Sequence, residues 1–441
     1  MKKIIASFLL LCLVSFAACT GNVTDTASSD TYAESDVISE TSETEDTQDQ
    51  TVTVPPVSDT VTADPVILLS THINDDAVMF IGLCEKDSVI TVKGEYTDEF
   101  TVTPDGGNFL FSVKLKNRQP ETLSVTAKVG NKESSKTVTA EAKFKRGEKD
   151  KEVFTTYDSR ICQNEILDDL YHTNLFKEKE LLLMKKIAND RVKKAKKAAG
   201  KDVEIIYVIV PNPLTVYGEG VPEDMKANIE GEETSLTQAV EALSSVEHVT
   251  VIDLTDVMNA HKDEKIYYCL DTHWTELGAY YGYQALMNEI AKKFPAAAPH
   301  PISDYDIKNV AVDYTDMMSY AGIEEMGVTE TAPFMISKYT PLSPYDSAKK
   351  EEAYIWNFTD EFFSNKQSHT EIANDALPKG MFLFDSYGLN AIHFIAEHFS
   401  SLTCMPIWNY SVDYDIVEEE KPDYIIQLIS ERTTERLLVS E

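Results

Sequence analysis

Positive charge is scarce in this chain. Its 441 residues carry 40 Lys and Arg against 74 Asp and Glu, a formal net charge of −34. Nucleic-acid binding needs a basic footprint, so this balance argues against nucleic acid as a partner. Long apolar runs are also missing. Ile4–Val14 is apolar, and no later run is long enough for a membrane-crossing helix. Cysteine is sparse: Cys84, Cys162, Cys269 and Cys404 stand far apart and lack metal-finger spacing. Disulfides and buried free thiols both stay open for these four. No glycine-rich phosphate loop follows a strand-like run. His393 and His398 are five apart, a poor spacing for one helix face, so neither a metal site nor a cofactor is expected. His261 and His369 also show no partner in the sequence.

What is present begins with Met1-Lys2-Lys3, the short apolar run, and Ser15-Phe16-Ala17-Ala18-Cys19. This has the form of a secretory signal. Its small-small-Cys ending resembles a lipobox, which implies removal of residues 1–18 and lipidation of Cys19. The expectation is a protein on the outer face of the bacterial cytoplasmic membrane, attached through a lipid anchor only. Residues 19–65 follow as a tether. From Thr20 to Pro65 there is no Lys or Arg, and Ser, Thr, Asp and Glu dominate. Such a stretch buries too little apolar surface to offset the entropy of ordering it.

Residues 66–145 alternate apolar and polar side chains in short runs. Turn signals at Pro104-Asp105-Gly106-Gly107 and Gly130-Asn131 interrupt them. The pattern predicts a small all-β sandwich that resembles immunoglobulin-like surface modules. A spacer role and carbohydrate binding are both compatible with it.

From residue 154 the period changes. "NLFKEKELLLMKKIANDRVKKAKKAAG" predicts a long helix with apolar positions at Leu175, Leu182, Leu183, Ile187 and Val192, stopping at Gly200. "VEIIYVIVPNP" reads as a buried parallel strand. Strands and helices then alternate to the end, which predicts an α/β domain over 154–441 with helices on both faces of a parallel sheet. The stretch from Val310 to Leu377 fits no clear period.

Ligands in open α/β sheets gather at the carboxyl ends of strands. One predicted end runs through Phe384-Asp385-Ser386-Tyr387-Gly388, another leads to Asp271-Thr272-His273-Trp274. A serine hydroxyl attacks an acyl carbon only when a base removes its proton, and histidine suits that task near neutral pH. A carboxylate then fixes the imidazole's tautomer. Asp271 and His273 are two apart, which on extended backbone places both on one face. Ser386, His273 and Asp271 are therefore the candidate nucleophile, base and orienting carboxylate. Ser386 is expected at a helix N-terminus, where backbone N–H groups suit an oxyanion.

"DTHWTELGAYYGYQAL", "LFDSYGLNAIHFIAEHF" and "KPDYIIQLISER", in that order, resemble the SGNH-hydrolase-like family of alginate O-acetyltransferases and, more closely, the related DHHW proteins. "VIVPNPLTVYGEGVP" matches a segment that precedes the Asp-x-His-Trp motif there. The likeness covers roughly residues 157 to 438. It implies an SGNH-like sheet, with the Asp-His pair ahead of the serine in the chain. It also implies the same three roles for Asp271, His273 and Ser386. The family builds acetyl esters on secreted or cell-wall polysaccharides beside a membrane-bound O-acyltransferase that supplies acetyl groups. The motif here reads Asp-Thr-His-Trp, and no asparagine or glycine matches an SGNH oxyanion hole beyond Gly388. Trp274, Tyr387 and Arg432 are candidate substrate contacts, with packing for Trp274 and a Glu431-Arg432 ion pair as the structural alternatives. The functional expectation is a surface-anchored O-acetyltransferase. The alternatives are an acetylesterase with the same triad and a non-catalytic polysaccharide-binding lipoprotein.

Overall fold

A computed structural model describes residues 66–74, 77–105, 107–141, 153–312, 315–321, 329–338, 368–406 and 411–439. The expectations for the signal segment, the tether and Cys19 lie outside these residues.

Seven strands form two antiparallel sheets at the N-terminal end: β1 (Val66–Asn74), β2 (Ala77–Leu83), β3 (Val89–Gly94), β4 (Phe100–Val102), β5 (Asn108–Lys114), β6 (Glu121–Val129) and β7 (Lys132–Ala140). Their orders are β1-β2-β5 and β4-β3-β6-β7. Alternation sorts the side chains. Val78, Phe80, Phe109, Phe111 and Val113 meet Ile90, Val92, Leu123 and Val125 of the other sheet in one core. The opposite face of β2 is apolar too. Ala77, Met79 and Ile81 pack on Ile161, Leu270, Met317 and Met318 of the following domain.

A short ribbon, β8 (Val153–Thr155) with β9 (Ile161–Gln163), leads into a six-stranded sheet. Its strands are β10 (Glu204–Val210) and β11 (Val249–Asp253), then, after a separate antiparallel pair β12 (Tyr305–Val312) and β13 (Glu330–Ser337), β14 (Ser368–Glu371), β15 (Lys379–Phe384), β16 (Ser401–Pro406) and β17 (Tyr424–Ser430). The order is β11-β10-β17-β15-β16-β14, with only β14 antiparallel to its neighbour. Ile206, Val208, Phe382, Phe384, Ile426 and Leu428 face helix α3 (Glu276–Ala291). Ile205, Tyr207, Met381, Leu383 and Ile425 face α1 (Glu178–Ala199), α2 (Ser235–Ser244) and α4 (Tyr414–Glu420). Both faces are covered, which explains the unbroken apolar runs of β10 and β15. No helix among the described residues is long and apolar enough to cross a membrane.

Helix α1 corrects one detail of the sequence reading. Leu182 and Leu183 are exposed, as is Leu175, while Met184, Ile187, Ala188, Arg191 and Ala195 form the buried stripe. Small alanines let the helix sit close to the sheet, and Arg191 is buried because its guanidinium donates to Gln427 and to Tyr207 Oη. Gly200 ends the helix at φ 68°, a left-handed conformation that glycine adopts without a Cβ penalty. The four described cysteines are free thiols.

Candidate active site

The turn after β15 carries Ser386. Asp385 caps it: Oδ1 accepts the N–H of Tyr387 at 2.9 Å and Oδ2 accepts that of Ser430 at 2.7 Å. One buried carboxylate thus ties the ends of β15 and β17 together. The segment Ser386–Asn390 is a single 3-10 turn, and the α-helical part, Ile392–Ala396, starts later. The expected helix N-terminus is therefore a tight turn, with too few aligned peptides for a substantial dipole. Gly388 is required by close approach. A Cβ there would stand 2.3 Å from Phe384 Cβ.

His273 and Asp271 do not sit on a strand tip. They lie in a bent loop between the helix Thr255–Ala260 and α3. The extended-backbone expectation is corrected accordingly. Asp271 Oδ1 accepts both the His273 N–H at 2.8 Å and a bond with His273 Nδ1 at 2.7 Å, so a local turn brings the pair together. The loop is held on several sides. Thr275 Oγ1 donates to Lys265 O, and the buried Glu330 of β13 accepts the N–H groups of Cys269 and Leu270 at 2.7 and 2.8 Å. Arg160 donates to Tyr268 O at 2.9 Å.

These supports bring the two segments into contact. His273 Nε2 and Ser386 Oγ are 2.8 Å apart. Serine, imidazole and carboxylate form one hydrogen-bonded row. Burial lowers the affinity of His273 for a proton, but the adjacent Asp271 carboxylate overcomes it and the net shift is upward. Burial raises Asp271, and the imidazole facing it pulls the carboxyl below its ordinary value.

Sequence reasoning missed Asp316, which starts the short helix Asp316–Tyr320. Its Oδ1 accepts the N–H of Thr272 at 2.9 Å and its Oδ2 lies 4.0 Å from His273 Nδ1. Burial, then the charge of Asp271, pushes its carboxyl up to about 7. The helix cap of Thr315 before Met317-Met318 was a legible signal, but nothing in the sequence connected it to Asp271.

Of the three candidate substrate contacts, Trp274 and Tyr387 have no exposed surface. Trp274 Nε1 donates to Tyr387 O at 2.8 Å, and the Tyr387 hydroxyl donates to Thr272 O. Both rings wedge the loop against the serine turn and offer no face to a sugar. Arg432 is half-buried, donates to Thr272 Oγ1 and lies over the Tyr387 ring at 5.3 Å. It does not pair with Glu431, whose Oε2 accepts the N–H of Asn212 at 2.7 Å and the Thr215 hydroxyl at 2.6 Å. At the same edge of the sheet a cavity of about 320 Å³ opens, lined by Asp169, His172, Asn212, Thr215, Lys226 and Glu431 among others. A pocket of about 10 Å³ lined by Arg160, Asp271, Thr272 and Arg432 shares Ile166 with it.

Of the other histidines singled out in the sequence, three have polar partners, and the His393 ring lies 3.9 Å from the ring of Phe394. His261 binds Glu264 at 2.8 Å and stacks on Tyr281, His369 binds Thr403 at 3.0 Å, and His398 meets the Tyr283 hydroxyl at 2.6 Å. Among the described residues two clusters have a metal-ligand composition: His300, Glu397 and His398, and Asp271, His273 and Asp316. In the second, hydrogen bonds engage both ring nitrogens of His273.

The fold that carries this row is an SGNH-hydrolase-like α/β domain preceded by an all-β region of antiparallel sheets. Residues 175–352 match the family model of the SGNH hydrolase-like domain of the acetyltransferase AlgX, a span that holds Asp271, His273 and Asp316 and ends before Ser386. Among solved structures the chain is similar to a DHHW family protein from Eubacterium siraeum (16% identity, 72% of this chain and 92% of that one, TM-score 0.45). It is similar also to PatB1 from Bacillus cereus (14%, 66% and 100%, TM-score 0.47) and to the O-acetyltransferase domain of AlgJ from Pseudomonas putida (14%, 64% and 92%, TM-score 0.39). No curated protein matches the sequence.

Proposed function

We propose that this protein is an O-acetyltransferase that acylates hydroxyls of an extracellular or cell-wall polysaccharide through Ser386, His273 and Asp271. The observation that carries the reading is the continuous row from Asp271 Oδ1 through His273 to Ser386 Oγ, at 2.7 and 2.8 Å. Its match to the SGNH hydrolase-like domain of an acetyltransferase supports the choice of acyl chemistry.

In the first half-reaction Ser386 Oγ bonds to the acetyl carbon as the donor's C–O bond breaks. The serine proton moves to His273 Nε2 and then to the leaving oxygen. In the second half, His273 takes the proton of an acceptor hydroxyl, that oxygen bonds to the acetyl carbon as the carbon's bond to Ser386 Oγ breaks, and the proton passes from His273 to the freed Ser386 Oγ. Asp271 holds the Nδ1–H tautomer and balances the imidazolium charge. General-base help of this kind contributes about 10²–10⁴ in rate. Water in place of the sugar gives an esterase, and exclusion of water separates the two outcomes. The cavity beside Asn212 and Glu431 has a volume suited to a small polar ligand such as one sugar ring.

The remaining parts of the proposal are a lipid anchor at Cys19, an outward-facing location, a polysaccharide acceptor and a membrane-bound O-acyltransferase as acetyl supplier. They rest on the signal-like N-terminus and the family resemblance.

The test is incubation with an activated acetyl ester, with mass spectrometry of the trapped enzyme. A 42 Da acetyl increment (about, by composition) on Ser386, transferable to an added oligosaccharide, is expected. A Ser386→Ala variant that turns over as fast as the parent removes the enzyme reading and leaves a polysaccharide-binding protein.

A further inference from the structure

We propose that Asp316 is a fourth member of the active site, a positioning residue that braces the Asp271–His273 loop and adds a second carboxylate beside the imidazolium formed during catalysis. This rests on the serine-hydrolase-like reading above and deepens it.

Three contacts carry the inference. Asp316 Oδ1 accepts the backbone N–H of Thr272 at 2.9 Å. The backbone N–H of Asp316 donates to Asp271 Oδ2 at 3.4 Å, on the oxygen that His273 leaves unused. Asp316 Oδ2 stands 4.0 Å from His273 Nδ1. A purely structural acid at the start of a helix would cap it. Here Thr315 caps the helix by accepting the N–H of Met318, and the Asp316 side chain turns back to the catalytic loop.

The segment is also clamped. Met317 and Met318 are fully buried in the cluster that contains Leu270, the residue before Asp271, together with Ala77, Met79 and Ile81 of the β-sandwich. Thr315 Oγ1 donates to Leu270 O. One apolar cluster thus fixes both carboxylate-bearing segments, and the N-terminal module contributes part of it. Two carboxylates this close resist simultaneous ionisation, consistent with the Asp316 carboxyl being pushed up to about 7 by burial and by Asp271. When His273 takes the serine proton, the new positive charge favours both carboxylates. The groups facing Asp316 are Asp271 and His273 from the loop, Arg432 from the segment after β17, and Tyr387 from the serine turn.

The experiment compares the full chain with Asp316→Asn, which keeps the acceptor for Thr272 and removes the charge, and Asp316→Glu, which keeps the charge on a longer arm. Two readouts are taken: the NMR titration of the His273 ring, and the pH profile of kcat/KM with an activated acetyl ester. In Asp316→Asn the ring titration and the acidic limb are expected to move together toward acid by about one pH unit, with kcat/KM reduced about tenfold. Asp316→Glu is expected to restore the titration position at least in part. An unmoved ring titration in Asp316→Asn overturns the proposal, even if activity falls, because packing alone would then account for the loss. The ring titration needs no turnover, so it decides the role of Asp316 even if the parent protein never acylates Ser386 and the enzyme reading fails.

Discussion

His273 Nε2 lies 2.8 Å from Ser386 Oγ, a hydroxyl carried 113 residues further along the chain. Neither residue reaches the other by its own local structure. Asp385 anchors the serine turn to the end of β17, Glu330 and Thr275 anchor the histidine loop, and Trp274 joins the two by donating to Tyr387 O.

Removing the orienting carboxylate should cost rate without unfolding the protein. Asp271→Asn keeps an oxygen near the His273 N–H but loses the charge that sets the imidazole's tautomer. A fall in kcat on the order of 10²–10⁴ is expected, with little change in KM. Steady-state kinetics with an activated acetyl ester, beside a thermal melt of the same preparation, checks it.

Activity should rise with pH. The base must be neutral to accept the serine proton, and the Asp271 carboxylate holds the His273 pKa above its ordinary value of about 6.5. The acidic limb of kcat/KM is therefore expected above about 6.5. A limb at or below that value contradicts the assignment of His273 as base.

Glu431 should make the fold less stable in alkali. Burial, then the charge of Asp169, raises its carboxyl to about 7, while in the unfolded chain it titrates near about 4.3. The folded state binds the extra proton between these values, so this contribution is full below about 4 and is lost as pH rises through 7. Glu431→Gln is expected to shrink the drop in melting temperature between pH 5 and pH 8. An equal drop in both proteins refutes it.

Gly388→Ala should damage the serine turn. The new Cβ would meet Phe384 Cβ at 2.3 Å, with Phe384 enclosed in the main core and Gly388 itself buried. A loss of about 1–3 kcal/mol is expected from overpacking, with acylation of Ser386 reduced further because the turn itself shifts. Urea denaturation measures the first effect and mass spectrometry the second.

The module interface gives a fifth test. Met79 is fully buried between the β-sandwich and the cluster holding Leu270 and Met317. Met79→Ala is expected to cost about 2–5 kcal/mol and to lower kcat as the carboxylate loop loosens. A spacer domain would let the variant unfold its own sheets and leave kcat untouched.

Much of this was legible along the chain because local periodicity reports burial. The alternation in Ile90, Val92, Leu123 and Val125 placed strands, and the unbroken run of β10 placed a strand covered on both faces. Asp271, His273 and Ser386 could be named as candidates because their residue types suit one reaction. Other details were not local. Leu182 and Leu183 have the composition of a buried stripe, yet the sheet meets the neighbouring Met184, Ala188 and Ala195 face, which only docking selects. Trp274 and Tyr387 were candidate sugar contacts, with packing the alternative for Trp274, and both are buried between two loops.

The sequence alone thus determined most of the element types, the order of the motifs and the functional groups available at each, since backbone propensity and side-chain identity are properties of short segments. Tertiary structure decided which of those groups touch. The 2.8 Å contact of His273 with Ser386 and the placement of Asp316 beside Asp271 arise from a parallel sheet that aligns distant chain segments, and from the apolar cluster of Leu270, Met317 and Met79 that clamps them.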